Sequence, residues 1–139
     1  MAGVSDVTQS SSSYRRVLVA DSDATVRWAL RLLLAHEGEW QVVGEAADTT
    51  ALVHAVEIQQ PDLVLLDGNL PGLRGHEVSL VTAISACCPA TTLIALCVRP
   101  ERLEMLRSAG VAAFLSKVDP PDRLLAELRS VVAKQAAST

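Results

Sequence analysis

Four short apolar runs punctuate the chain: Val17-Leu18-Val19-Ala20, Leu63-Val64-Leu65-Leu66, Leu93-Ile94-Ala95-Leu96 and Ala112-Ala113-Phe114-Leu115. Asp21, Asp67, Cys97 and Lys117 sit at or just past their carboxyl ends. The segments between them carry helical periodicity. A helix is predicted from Asp23 or Ala24 to Gly38, with Val26, Leu30 and Leu33 on one face. A short strand holds Val42 and Val43, and a second helix runs from about Thr49 to Gln59, with Leu52, Ala55 and Val56 inward. A third helix is predicted from about Gly75 to Cys87, closed by Pro89. The fourth starts near Pro100, a favoured first helical position, and ends at Gly110. The last follows Pro120-Pro121, with Leu124, Leu125, Leu128, Val131 and Val132 as its apolar stripe. Five strands and five helices in strict alternation predict an α/β fold with a parallel sheet covered on both faces. Ligand sites of such sheets lie beyond the carboxyl ends of the strands. Two carboxylates, an ammonium and a thiol are thereby brought to one crevice.

Composition narrows what that crevice serves. The chain has 139 residues, the size of one domain. Its hydrophobic half is aliphatic, with only 3% aromatic residues. A net charge of −4 argues against a nucleic-acid footprint, which needs a basic face. No apolar run reaches membrane-spanning length, and the N-terminus lacks the apolar stretch of a signal peptide. Three cysteines, two of them the neighbours Cys87 and Cys88, make no disulfide framework and fit a reducing, cytoplasmic setting. The four serines Ser10 to Ser13 mark a polar, disordered tail. The predicted division is a tail over 1–14, the domain over 15–135 and a short C-terminal tail over 136–139.

Asp67 ends the most apolar run, and the loop Gly68-Asn69-Leu70-Pro71-Gly72-Leu73-Arg74-Gly75 after it lets backbone groups approach its carboxylate. A carboxylate can attack phosphorus and form an aspartyl phosphate. Phosphoryl transfer depends on charge neutralisation by magnesium and a cation. Asp21 and Asp67 are the candidate carboxylates for magnesium, and Lys117 is the candidate cation. His36, His54 and His76 have no ligand spacing and read as surface residues. Trp28 and Trp40 read as packing residues. Glu101, Arg102, Glu104 and Arg107 read as a solvated face of the fourth helix.

These residues resemble the receiver domain of bacterial two-component response regulators, over about residues 16 to 133. Asp21 looks like the first residue of the family's acidic pair. Asp67 with Asn69-Leu70-Pro71-Gly72 and Gly75 looks like the phosphoacceptor and its loop. Gly110 with Phe114-Leu115-Ser116-Lys117 looks like the segment of the switch aromatic and the phosphate-binding lysine, most like receivers that precede LuxR-type helix-turn-helix domains. The resemblance implies a flavodoxin-like doubly wound sheet of strand order 2-1-3-4-5. It implies Asp67 and Lys117 as the reacting pair, Cys97 and Lys117 as phosphate contacts, and Cys97 with Phe114 as the switch. Magnesium would be held by Asp21, Asp67, the Asn69 carbonyl and, weakly, Ser22. The implied partners are a histidine kinase or phosphotransfer protein, an output protein, and a second copy through the fourth helix, fifth strand and fifth helix. Neither nucleic acid nor membrane is bound by the domain, and no turnover enzyme is implied beyond self-phosphorylation and self-dephosphorylation.

Two positions depart from the family pattern. Ser22 stands where a second acidic ligand is usual, which weakens magnesium binding. Cys97 stands where a hydroxyl is usual, and a thiol is a weak donor. Both departures also suit a pseudo-receiver, a binding module that signals without phosphate. The run from Val17 to Thr25 resembles, in addition, the first motif of haloacid-dehalogenase-type phosphohydrolases. In that scheme Asp21 would be the nucleophile and Asp23 the general acid/base, and the Asp67 loop would be left without a role.

Overall fold

The computed structural model describes residues 14–97 and 99–138. Of Cys97, Pro100 and residues 135–138 only the backbone is described. Of the predicted tail over 1–14, residues 1–13 lie outside the described residues. The strands are β1 (Arg15–Ala20), β2 (Trp40–Ala46), β3 (Leu63–Asp67), β4 (Thr92–Cys97) and β5 (Ala113–Ser116). The helices are α1 (Ala24–Glu37), α2 (Thr49–Gln59), α3 (Glu77–Cys87), α4 (Pro100–Ala109) and α5 (Pro121–Ser138). The strands form one parallel sheet in the order β2-β1-β3-β4-β5, as the resemblance implied.

The period of two along each strand divides the core into two layers. Leu18, Ala20, Val64, Leu66, Leu93 and Ala95 pack on one face against Leu52 and Val56 of α2, Leu80 and Ile84 of α3, and Leu106 of α4. Val17, Val19, Leu63, Leu65, Ile94 and Leu96 pack on the other against Leu30 and Leu34 of α1 and Leu125 and Leu128 of α5. All five residues of β3 are buried, which is why that run shows no alternation in the sequence. Local chemistry sets the helix ends. Asp23 and Asp48 cap α1 and α2 by accepting the Thr25 and Ala51 amides. α3 begins two residues later than the periodicity suggests, because 71–75 form turns.

Two predicted placements are overturned. Trp28 is 61% exposed, because it lies two positions from both Val26 and Leu30, about 200° around the helix from the buried stripe. Arg102 is buried, at 5% exposure, because it stands four residues before Leu106 and shares its inward face. Trp40 is buried as expected, although its Nε1 has no hydrogen-bond partner among the described residues.

The loop after β3 is locked to the β2–α2 connection. Thr49 donates its amide to the Pro71 carbonyl at 3.0 Å. Gly72 has a φ of +91°, and a Cβ there would overlap the Thr49 hydroxyl. Gly72→Ala should therefore cost about 2 kcal/mol of stability, from left-handed backbone strain and steric overlap together. Urea denaturation would measure this. Adding Thr49→Ala should restore only the steric part, and full restoration would show that the backbone is not strained.

Candidate functional site

Parallel pairing brings the carboxyl ends of the strands to one edge. Ala20 lies opposite Leu66, so Asp21 and Asp67 end neighbouring strands. Both carboxylates are buried, at 2% and 5% exposure. Lys117 follows β5 directly and reaches back over β4. Its Nζ lies 2.8 Å from Asp21 Oδ2 and 2.9 Å from Asp67 Oδ1. Burial alone would lower the pKa of this ammonium, but the hydrogen bonds to Asp21 and Asp67 outweigh it and hold it above the usual lysine value. One cation thus compensates two carboxylates that would otherwise be stranded in the interior.

Backbone donors complete both carboxylates. The Asp23 amide donates to Asp21 Oδ1 at 2.9 Å, and the Asn69 amide donates to Asp67 Oδ1 at 3.0 Å. Arg27 Nη1 donates to the Asp21 carbonyl at 2.7 Å, and its Nε pairs with Glu45 at 2.9 Å, so α1 and β2 both brace the β1 end. The sequence reading did not single out Arg27. Its signal was a basic residue in the second turn of a helix that begins next to an acidic strand end.

Asp23, the acidic residue next in sequence, is engaged elsewhere. Its carboxylate accepts the Thr25 amide at 2.8 Å as the cap of α1, and the residue is exposed. The phosphohydrolase scheme needs this carboxylate as a free acid/base, so the cap argues against it. Ser22 is exposed. Cys97 takes its place opposite Ser116 in the sheet, while its side chain lies outside the described residues. Phe114 is half-buried against the α2–α3–α4 layer, with the Arg107 guanidinium 5.3 Å from its ring centroid. His36, His54 and His76 are exposed on separate elements, as expected.

Arg102, read from the sequence as solvated, and Glu77, not singled out there, form a buried pair. Arg102 Nη1 pairs with Glu77 Oε2 at 2.9 Å, and both side chains are buried. Arg102 Nε and Nη2 both donate to the Gly68 carbonyl, at 3.1 and 3.0 Å. The available signal was a charged residue on the apolar stripe of each helix: Arg102 four before Leu106, and Glu77 three before Leu80.

Among the described residues no three His, Cys, Asp or Glu side chains converge as a metal site. The crevice does present hard oxygen donors, the carboxylates of Asp21 and Asp67 beside the Asn69 loop. Such a set suits magnesium, which accepts one or two carboxylates and retains water. Among the described residues no helix is long and apolar enough to cross a membrane.

Comparison with known proteins gives the family and the fold. The family model described as the response regulator receiver domain matches residues 17–129. The transcriptional regulatory protein PdtaR of Mycobacterium tuberculosis is 36% identical over 103 residues, covering 74% of this chain and 49% of PdtaR. The DNA-binding response regulator MtrA of the same species is 34% identical over 117 residues, covering 84% of this chain and 50% of MtrA. The chain therefore spans about half the length of the curated relatives it matches. Among solved structures, the signal receiver domain of the response regulator NarL from Mycobacterium tuberculosis superposes with a TM-score of 0.74 at 25% identity, covering 86% of this chain and 97% of that one. A CheY-like receiver domain protein from Methanospirillum hungatei shares the fold at a TM-score of 0.77 and 22% identity, covering 91% of this chain and all of that one.

Proposed function

Because the chain belongs to the response regulator receiver domain family of two-component signalling, we propose that Asp67 is its phosphoacceptor and that Lys117 neutralises the incoming phosphoryl group. The observation that carries this reading is the Lys117 ammonium held within 2.9 Å of the Asp67 carboxylate at the carboxyl edge of the sheet. The attacking oxygen belongs to Asp67, and the bond from phosphorus to the donor, phosphorus–nitrogen in a phosphohistidine and phosphorus–oxygen in acetyl phosphate, breaks as the new one forms. Lys117 and the Asn69 amide then face the developing charge. Asp21, Asp67 and the Asn69 carbonyl would hold magnesium, which supplies further charge neutralisation when bound. The donor partner is a histidine kinase or phosphotransfer protein. The acyl phosphate carries a charge of roughly −2 where the carboxylate carried −1, and the gain biases contacts with an output protein or with a second copy through α4, β5 and α5. Cys97 and Phe114 form the switch pair of this scheme. The receiver spans 15–135 in a cytoplasmic protein.

Locating the phosphoryl group tests the assignment. After incubation with acetyl phosphate and magnesium, borohydride trapping should mark Asp67. Marking of Asp21 instead would favour the phosphohydrolase scheme.

Ser22 makes a separate prediction. It is exposed beside Asp21, so a longer acidic side chain meets no packing obstacle there. Ser22→Asp adds a full negative charge to a hard-cation site and should tighten magnesium binding about tenfold. Calorimetric titration measures the gain. Equal affinity in both proteins would mean that another group already supplies the third charge.

A further inference from the structure

One peptide group joins the acceptor carboxylate to α4. Its amide end is the Asn69 N–H, which donates to Asp67 Oδ1 at 3.0 Å. Its carbonyl end is the Gly68 oxygen, which accepts the forked Nε and Nη2 of Arg102 at 3.1 and 3.0 Å. In a planar trans peptide these two ends point in opposite directions and move together. A cation on the carbonyl also polarises the amide and strengthens its N–H as a donor. The Gly68 amide, which belongs to the preceding peptide, is tied to the Leu96 carbonyl of β4 at 2.9 Å, so the near end of the loop is anchored to the sheet.

The guanidinium that grips the carbonyl is itself fixed. Arg102 lies in the first turn of α4 and Glu77 is the first residue of α3. Both are 5% exposed, and they pair at 2.9 Å. Glu77 Oε2 also accepts the Gly75 amide at 3.3 Å, which closes the other end of the acceptor loop. A buried charge with its partner and its hydrogen bonds in place adopts few alternative positions. A tilt of the Gly68–Asn69 peptide therefore has to be answered by Arg102, and through it by α4.

We propose that Arg102, held by Glu77, is a positioning residue that carries the phosphorylation state of Asp67 to α4 through the Gly68–Asn69 peptide. The proposal rests on Asp67 being the acceptor. Phosphorylation converts Oδ1 from a carboxylate oxygen to part of an acyl phosphate and adds negative charge beside it, which changes its hold on the Asn69 amide. The coupling is reciprocal, so the clamp also sets how firmly the site holds a phosphoryl group. The device gives α4 a route of response that does not depend on the side chain at position 97, where a thiol stands.

Amide NMR of the full chain with and without beryllofluoride and magnesium tests this. In the wild type, shifts are expected at Asn69 and Lys117, which report binding, and along α4 from Arg102 to Ala109. Replacing both charges by apolar residues of similar volume is often neutral for stability, so Glu77→Met/Arg102→Met should fold. In that double variant the Asn69 and Lys117 shifts should persist while the α4 shifts are lost. Arg102→Lys keeps the ion pair but not the fork, and should also lose most of the α4 response. An α4 response of wild-type size in the double variant, or no α4 response in a wild type that binds beryllofluoride, overturns the clamp alone. No binding by the wild type overturns the acceptor reading, and the clamp with it.

Discussion

Asp67→Ala should abolish covalent labelling by acetyl phosphate altogether, because it removes the attacking oxygen. Intact mass would read this as loss of a single phosphoryl adduct. The neighbouring variants should differ in kind. Lys117→Ala leaves the nucleophile in place but removes the cation that faces the developing charge, so labelling at Asp67 should slow about a hundredfold. Asp21→Ala should slow labelling through magnesium without moving the label. The geometry supports this ranking, since Lys117 touches both carboxylates while Asp67 alone also receives the Asn69 amide of the Gly-rich loop. Undiminished labelling of Asp67→Ala would sink the assignment.

The second large effect is on stability. Arg102→Ala leaves the Glu77 carboxylate buried without its partner and the Gly68 carbonyl without two donors, which should cost about 3 kcal/mol in urea unfolding near neutral pH. Glu77→Met/Arg102→Met should cost far less. Acid sensitivity separates the two causes. Burial pushes the Glu77 pKa up, but its backbone hydrogen bonds and the Arg102 guanidinium prevail, and the pKa lies below the ordinary 4.5. A carboxyl with a depressed folded pKa contributes stability that is complete above its unfolded value and is lost as pH falls through the folded one. The wild type should therefore lose this contribution below pH 4.5, and the double variant should not. Lys117 has the opposite sign. Its raised pKa gives stability that is complete below the ordinary 10.5 and is lost as pH rises through the higher folded value. Parallel acid limbs for the wild type and the double variant would show that the pair is not the source.

Residues near in sequence were read well because short-range physics sets them. The apolar runs, the Asp23 and Asp48 caps and the glycine after α1 determine where strands and helices begin and end. Strict alternation then determines a parallel sheet, and with it the edge at which Asp21, Asp67 and Lys117 emerge. Their contact is another matter. Lys117 and Asp21 are 96 residues apart, and only the order β2-β1-β3-β4-β5 sets one ammonium between two carboxylates. The tertiary structure alone decided that Lys117 lies between Asp21 and Asp67 and that Arg102 is buried in a pair with Glu77. A charged residue on a helix reads as solvated from its own neighbours. Whether it is buried depends on a counter-charge and a carbonyl delivered by other elements, here Glu77 from α3 and Gly68 from the loop after β3, and the periodicity of α4 contains neither.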